Sequence, residues 1–174
     1  MQYFDPIQIL RQNNITQPPH TRFHLAVFAE PFLSRIYSGE KTLESRITVN
    51  RIAPYGKVSP GDMVFIKRSS GPVEAVFTVG CVEQFDLTET PISLLQERYG
   101  SQLCADDAFF RSKQHCRYAI LMEIRSLTRL TPFSIDKKGM QTWLLLNRTL
   151  AAQDLTPLPF LCYTPLMPIA YDGS

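Results

Sequence analysis

One short charged segment carries the side chains best suited to chemistry, the octapeptide Gly39-Glu40-Lys41-Thr42-Leu43-Glu44-Ser45-Arg46. Lys41 can meet a phosphate or a carboxylate as a point charge, or can act as a base once it is desolvated. Arg46 suits planar recognition of a phosphate or of a base edge. Glu44 can orient either cation or accept a hydrogen bond from a nucleobase amino group. All three are therefore candidates for ligand binding, and Lys41 and Glu44 are the candidates for any catalytic role.

A short helix and a strand must hold this segment in place. Pro31 suits the first turn of a helix. Apolar residues follow it at three- and four-residue spacing, and Gly39 stands where a left-handed C-cap is expected. We therefore expect a helix that ends at Gly39, a tight turn that carries Lys41, and a strand that begins near Leu43.

Alternation along that strand separates two faces. The mainly apolar face, which suits a core, contains Leu43, Ser45, Ile47 and Val49. The other face is a charged stripe of Glu44, Arg46 and Thr48. A solvated edge strand would also explain this stripe. In that interpretation Glu44 and Arg46 pair with each other and Lys41 is an ordinary turn lysine.

The rest of the sequence predicts a small, mostly β barrel decorated with helices. Short strands with helical insertions favour a closed or partly closed sheet over a doubly wound one. Further strands are predicted at 23–28, 63–66, 73–79 and 118–124, with 125–132 as strand or loop. Helices are predicted at 5–10, at 106–114, and from Thr90 as N-cap to Gly100 as the end.

The chain resembles the ASCH domain, a family of the PUA-like superfamily. The resemblance lies in Glu30-Pro31-Phe32, in the octapeptide, which has the family's G-x-K-T-x-E-x-R pattern, and in Gly61-Asp62 before a strand. It continues with the strand 118–124 and with Gly139-Met140-Gln141-Thr142-Trp143, and it covers roughly residues 23 to 146. The implied fold is a PUA-like small β-barrel of five or six mixed strands. Helices are inserted in this barrel, which forms a domain at 23–147. An N-terminal extension (1–22) precedes the domain, and a proline-rich, apolar C-terminal arm (148–174) follows it.

The resemblance also implies a cleft that binds RNA or a nucleotide-like ligand. The ligand-binding residues expected on this basis are Lys41, Thr42, Glu44, Arg46, Lys67, Gln141 and Trp143. The local cations able to follow a nucleic-acid backbone are Lys67, Arg68, Arg111, Lys113, Lys137 and Lys138. Trp143, with Tyr37 or Tyr55, can stack on a base. Filling the core is the other role open to Trp143.

A hydrolase is the alternative function. Some small ASCH-like proteins are amidohydrolases that act on N4-acylated cytidine and carry a G-x-K-T-x-T-x-R version of the motif. Lys41 matches their lysine, but Glu44 replaces their nucleophilic threonine, and their later glutamate corresponds to either Glu97 or Glu74. A carboxylate at that position requires a different mechanism, such as base activation of water. Ribonuclease activity is a second enzymatic possibility.

Composition and cysteine spacing narrow the remaining function classes. The formal net charge of +2 is too small to indicate nucleic-acid binding by itself. No apolar stretch approaches the roughly 20 residues of a membrane helix, and the N-terminus does not resemble a secretory signal. A zinc site of Cys104, His115 and Cys116 is conceivable, but reduced thiols explain the wide cysteine spacing better. We expect a cytoplasmic monomer or weak homodimer without membrane contact, metal or cofactor.

Overall fold

The structure is a computed structural model in which residues 5–135 and 139–149 are described, with side chains described as far as residue 146. The strands are β1 (Arg22–Phe28), β2 (Leu43–Thr48), β3 (Met63–Arg68), β4 (Val73–Asp86), β5 (Tyr118–Phe133) and β6 (Trp143–Thr149). The helices are α1 (Pro6–Gln12), α2 (Phe32–Tyr37), α3 (Ile92–Leu103) and α4 (Asp107–Ser112).

The described strands form one curled sheet in the order β2-β5-β4-β3-β1-β6. The β1–β3 pair is parallel and the other pairs are antiparallel, so the sheet is mixed. Register shifts interrupt the β4–β5 pair at several points, and such irregularities bend and twist a strand. The result is a half-barrel with a few helices, which confirms the predicted PUA-like small-barrel class.

Both faces of the sheet are covered, and β3 shows why its sequence is continuously apolar. Val64 and Ile66 pack in the barrel interior. Met63 and Phe65 pack on the opposite face, in a cluster that also buries residues of α1. A strand buried on both faces has no position for a polar side chain, which agrees with the sequence-based prediction.

The strand β2 stands at one edge of the sheet, and its charged face is buried. Leu43 and Ile47 pack against the helices α3 and α4, as predicted for the apolar face. Glu44, on the other face, is only 5% exposed. The interpretation of a solvated stripe is therefore wrong, and so is that of Lys41 as an ordinary turn lysine, because Lys41 is only 4% exposed.

Several element boundaries differ from the predictions. The helix α3 does not end at Gly100 but continues to Leu103, because Leu103 is buried in the cluster that holds α3 and α4 on the sheet. Cys104, with a φ of 52°, then ends the helix in the left-handed conformation. β4 and β5 are longer than predicted because the C-terminal part of each strand pairs with the N-terminal part of the other, and β6 was not predicted as a strand.

The predicted N-terminal extension contributes to the core. Asp5 accepts a hydrogen bond from the Ile7 N–H at 3.0 Å and caps α1, as expected. Ile7 and Leu10 are then buried beside the sheet. The domain boundaries remain a prediction, and most of the C-terminal arm, from residue 150 onward, lies outside the described residues. None of the helices among the described residues has the length and apolar character needed to cross a membrane.

Candidate functional site

The octapeptide forms the predicted helix end, turn and strand. α2 ends at Tyr37, and Gly39 follows with a φ of 79°, the left-handed conformation that favours glycine. The Lys41 N–H then donates to the Arg35 carbonyl at 2.9 Å, which folds the turn back on the helix. The chain leaves this turn as β2, so the turn delivers the lysine side chain to the inside of the molecule.

The Lys41 ammonium is fully engaged. It donates to the carbonyl of Leu43 at 2.7 Å and to that of Leu103 at 3.0 Å, and it lies 3.4 Å from Oε2 of Glu44. An ammonium has three N–H donors, so these partners account for all of them. Leu103 ends α3, whose last carbonyls lack partners within the helix. Lys41 therefore caps α3 and holds it against β2.

Glu44 lies between Lys41 and Arg46. Its Oε1 atom is 3.0 Å from Nε of Arg46, and its Oε2 faces the ammonium. The Nε–H of Arg46 is not directed at Oε1, so the contact is an ion pair without a good hydrogen bond, and this buried nitrogen has no hydrogen-bond partner among the described residues. Nη2 of Arg46 donates to the Val27 carbonyl of β1 at 3.1 Å. Arg46 therefore bridges the gap between β2 and β1.

Two aromatic rings hold the Arg46 guanidinium in this position. Its Cζ atom lies 5.2 Å from the ring centroid of Phe28 and 5.2 Å from that of Trp143. Cations at this distance over an aromatic face are attracted by the ring quadrupole. The guanidinium is therefore fixed before any ligand arrives.

The main chain of Ser45 faces the open edge of the sheet. The Ile124 N–H donates to the Thr42 carbonyl at 2.9 Å, and the register of β2 against β5 is unbroken. Because hydrogen bonding to the partner alternates along an antiparallel pair, the N–H and C=O of Ser45 point away from β5. Lys41 already uses this edge when it donates to the Leu43 carbonyl.

A cavity of about 490 Å³ occupies the gap between β2 and β1. Its charged lining consists of the cations Lys41, Arg46 and Lys113 and the carboxylate Glu44, a surplus of two positive charges. Its volume falls within the range of small-molecule sites. The cavity is therefore suited to a ligand that carries negative charge.

Two half-buried aromatic side chains form the helical wall of this cavity. The rings of Phe32 and Phe109 meet edge to face with 5.7 Å between centroids. The Lys41 ammonium lies 5.3 Å from the Phe32 centroid and that of Lys113 lies 5.8 Å from the Phe109 centroid. The wall therefore offers an apolar surface beside positive charge.

A second cavity, of about 620 Å³, adjoins the first. Val27, Ser69 and Thr142 line both of them. Lys67 and Gln141, two of the predicted binding residues, line the second cavity and not the first. The predicted set is therefore divided between two neighbouring spaces.

Trp143 lies in the core and not at either cavity wall. It is 5% exposed, and its Nε1–H donates to Nδ1 of His24 at 3.2 Å. Nε2 of the same imidazole is 3.1 Å from Oδ2 of Asp62. Burial opposes the ionisation of Asp62, but hydrogen bonds from His24 and from the Ser59 N–H, together with the charge of Arg22, outweigh it and lower its pKa. At this position Trp143 fills the core, and its direct role in binding stays a prediction.

Other predicted residues lie away from the first cavity. Thr42 is exposed, and its N–H donates to the Gln102 carbonyl at 3.0 Å, adding to the cap of α3. Tyr37 donates to Glu74 at 2.8 Å, and Tyr55 packs on Tyr118.

In the described part of the chain, the remaining predicted cations and glutamates do not line that cavity either. Arg68 pairs with Glu30 and Glu74, each at a shortest distance below 3.0 Å, and Glu97 is exposed on α3. Lys137 and Lys138 lie outside the described residues. The described residues contain no group of three or more His, Cys, Asp or Glu side chains that could hold a metal ion.

Sequence reasoning missed Phe109 and the backbone of Ser45. Phe109 follows Asp106, whose side chain caps α4 by accepting from the Phe109 N–H at 2.8 Å. The capping pattern can be recognised in the sequence. Which side of α4 faces the cavity depends on how α3 and α4 pack, and the sequence alone does not show this. The open edge depends on the strand order, which the sequence did not specify.

The curled mixed sheet, with the charged turn at its open edge, defines an ASCH-like fold of the PUA-like small-barrel class. It is similar to the crystal structure of ASCH from Zymomonas mobilis, with a TM-score of 0.56 and 15% identity over 76% of this chain and 90% of that one. A serine-to-alanine variant described as ZmASCH from the same organism gives a TM-score of 0.59 and 18% identity over 75% and 92% of the two chains. No family model and no curated protein matches the sequence. These similarities establish the fold that the order and spacing of the family-like segments together implied.

Proposed function

We propose that this protein binds RNA or a nucleotide-like ligand in the cavity between β2 and β1. The observation that carries the proposal is the surplus of two positive charges in a cavity that also has an aromatic wall. A nucleotide combines an anionic phosphate with a planar base, and both parts find a matching surface here.

The polar groups of the cavity suit the edge of a base. Ser45 presents a main-chain N–H and C=O on the open side of β2. The Nε–H of Arg46 is buried without a hydrogen-bond partner among the described residues. This nitrogen lies 3.0 Å from Oε1 of Glu44, so its charge is compensated although the contact is not a well-directed hydrogen bond, and the main chain of Ser45 is the clearer partner for a base edge.

The hydrolase alternative has less support from the geometry. A general base needs an oxygen that can accept a proton from water. Both oxygens of Glu44 already contact cations, and the Lys41 ammonium has a partner for each of its N–H groups. Neither Glu74 nor Glu97, the two candidates for the later glutamate, lines the cavity. We therefore propose binding as the function and treat hydrolysis as the alternative.

Fluorescence of Trp143, the only tryptophan of the chain, provides a direct binding assay. Its ring contacts the Arg46 guanidinium, so a ligand that reaches Arg46 changes its surroundings. We expect saturable changes with short single-stranded RNA or modified nucleosides at low ionic strength. Absence of binding across mixed RNA pools and a nucleoside panel, confirmed by equilibrium dialysis, contradicts the proposal.

Prolonged incubation with excess protein tests the alternative. We expect N4-acetylcytidine to remain unchanged and labelled RNA to remain intact. Turnover that is lost in Glu44→Gln, while the fold is preserved by circular dichroism, would show that the protein is a hydrolase. RNA degradation that survives Lys41→Ala would instead identify a contaminating nuclease.

A further inference from the structure

We propose that the second cavity binds the phosphate of a nucleotide whose base occupies the first cavity. The ligand is then a phosphorylated nucleotide, free or within RNA, and not a free nucleoside. This inference rests on the proposed function and specifies the ligand class of the same site.

The border between the two cavities is built from fixed main chain. Val27, Ser69 and Thr142 line both spaces. The Val27 N–H donates to the Thr142 carbonyl at 2.9 Å, and the Ser69 N–H donates to the Phe28 carbonyl at 2.7 Å. The two cavities therefore share one border, and in the proposed complex the sugar that joins the base to the phosphate lies across it.

The second cavity has the donors that a phosphate needs. Among the described residues that line it, Lys67 is charged and none is acidic. The Lys67 ammonium donates to the carbonyls of Gly71 at 2.7 Å and Arg68 at 3.2 Å. An ammonium has three donors, so one donor of Lys67 has no protein partner in the described part of the chain and is left for a ligand. The two carbonyls hold the charge in place at the turn between β3 and β4.

Neutral donors complete this lining. The same space is lined by four residues whose side chains carry hydroxyl or amide donors, Ser69, Ser70, Gln141 and Thr142. A phosphate accepts several hydrogen bonds at once, and bonds to a charged donor are the stronger ones. The first cavity, by contrast, supplies the aromatic wall and the strand edge. The two spaces therefore match the two chemically different parts of one nucleotide.

Equilibrium dialysis with the wild-type chain and two lysine variants tests the assignment. The ligands are the four ribonucleosides and their 3′- and 5′-monophosphates at one fixed ionic strength. Lys67→Met removes the charge and keeps the aliphatic stem. Lys57→Met is the matched control, because Lys57 is exposed and lines neither cavity. Circular dichroism checks the fold of each variant.

We expect a monophosphate to bind wild type on the order of tenfold more tightly than its nucleoside, as for one charge-assisted contact. Lys67→Met should remove this preference without weakening nucleoside binding, whereas Lys57→Met should keep it. Equal affinity of wild type for nucleosides and monophosphates, or equal behaviour of the two variants, overturns this inference and leaves the proposed function standing. If wild type binds neither these ligands nor RNA, the proposed function fails and the inference falls with it.

Discussion

The side chain of Lys41 and the carbonyl of Leu103 are 62 residues apart in sequence and are joined by a buried hydrogen bond of 3.0 Å. This bond attaches the C-terminus of α3 to the turn before β2. The same ammonium contacts Glu44, which in turn contacts Arg46. The helix, the turn and the charged wall of the cavity are therefore parts of one connected arrangement.

Lys41→Met should destabilise the protein by roughly 3–5 kcal/mol, because it leaves a buried carboxylate with one cation fewer. It also leaves the carbonyls of Leu43 and Leu103 without their donor. Urea denaturation measures the free energy of unfolding, with the exposed Lys57→Met as the control. A loss no larger than that of the control would show that the buried ammonium does not stabilise the fold.

A double-mutant cycle separates the ion pair from the other contacts of Lys41. Glu44→Gln keeps the shape of the side chain and removes its charge. We expect the double variant Lys41→Met with Glu44→Gln to lose less free energy of unfolding than the two single variants lose together. The difference should be about 0.5–3 kcal/mol. Strict additivity would mean that the two side chains, although 3.4 Å apart, are energetically independent.

The low pKa of Asp62 predicts an acid-dependent loss of stability. A carboxyl group whose pKa is lowered by folding stabilises the native state above its ordinary value of 3.8, and the effect is lost as the pH falls through the folded pKa. Asp62→Asn should therefore be less stable than wild type near pH 6. The difference should shrink below pH 3.8.

Urea titrations of wild type and Asp62→Asn from pH 6 to about pH 3 measure this dependence. Asp62→Asn weakens the hydrogen bonds that this side chain accepts from His24 and from the Ser59 N–H. A stability difference that is the same at every pH would show that the ionisation of Asp62 does not contribute.

Ser45→Pro should weaken ligand binding while the fold is retained. Proline removes an N–H, and it is tolerated on an edge strand where that N–H points away from the ladder. Ser45→Ala removes only the hydroxyl group and serves as the control. We expect a loss of about tenfold in affinity for Ser45→Pro alone, equivalent to one hydrogen bond of about 1.4 kcal/mol. Equal affinities for the two variants would exclude recognition by this N–H.

Binding of single-stranded RNA should weaken with salt. If Lys113 of the first cavity and Lys67 of the second cavity each neutralise one phosphate, log K should fall with log salt concentration with a slope of about −1.4. Lys113→Met should reduce the slope by about 0.7, and Lys57→Met should leave it unchanged. A slope near zero in wild type would show that the positive charge of the cavity does not meet the RNA backbone.

Local signals made much of this fold predictable. Gly39 marked the end of α2, and the continuous apolar run of β3 indicated burial on both faces. The burial of Glu44 could not be predicted in the same way, because it depends on Lys41 and on the end of α3, more than 50 residues later.

Long-range packing also decided the remaining features of the site. The position of Trp143 in the core depends on its bond to His24, which is 119 residues away. The alternation of residues along β2 separated its two faces correctly. It could not show which face is buried, and one interpretation placed the charged face in solvent. Which face is buried depends on the curl of the sheet, which brings β1 opposite β2 and allows Arg46 to reach the Val27 carbonyl.

The most direct test of the central claim is the affinity of Arg46→Met for short single-stranded RNA at low ionic strength. Arg125→Met is the matched control, because Arg125 is exposed on β5 and pairs with Glu123 away from the cavity. We predict saturable binding by wild type and by Arg125→Met, and loss of binding in a folded Arg46→Met. Equal RNA affinity of the two variants, or no binding by wild type, would contradict the assignment of the cavity as the binding site.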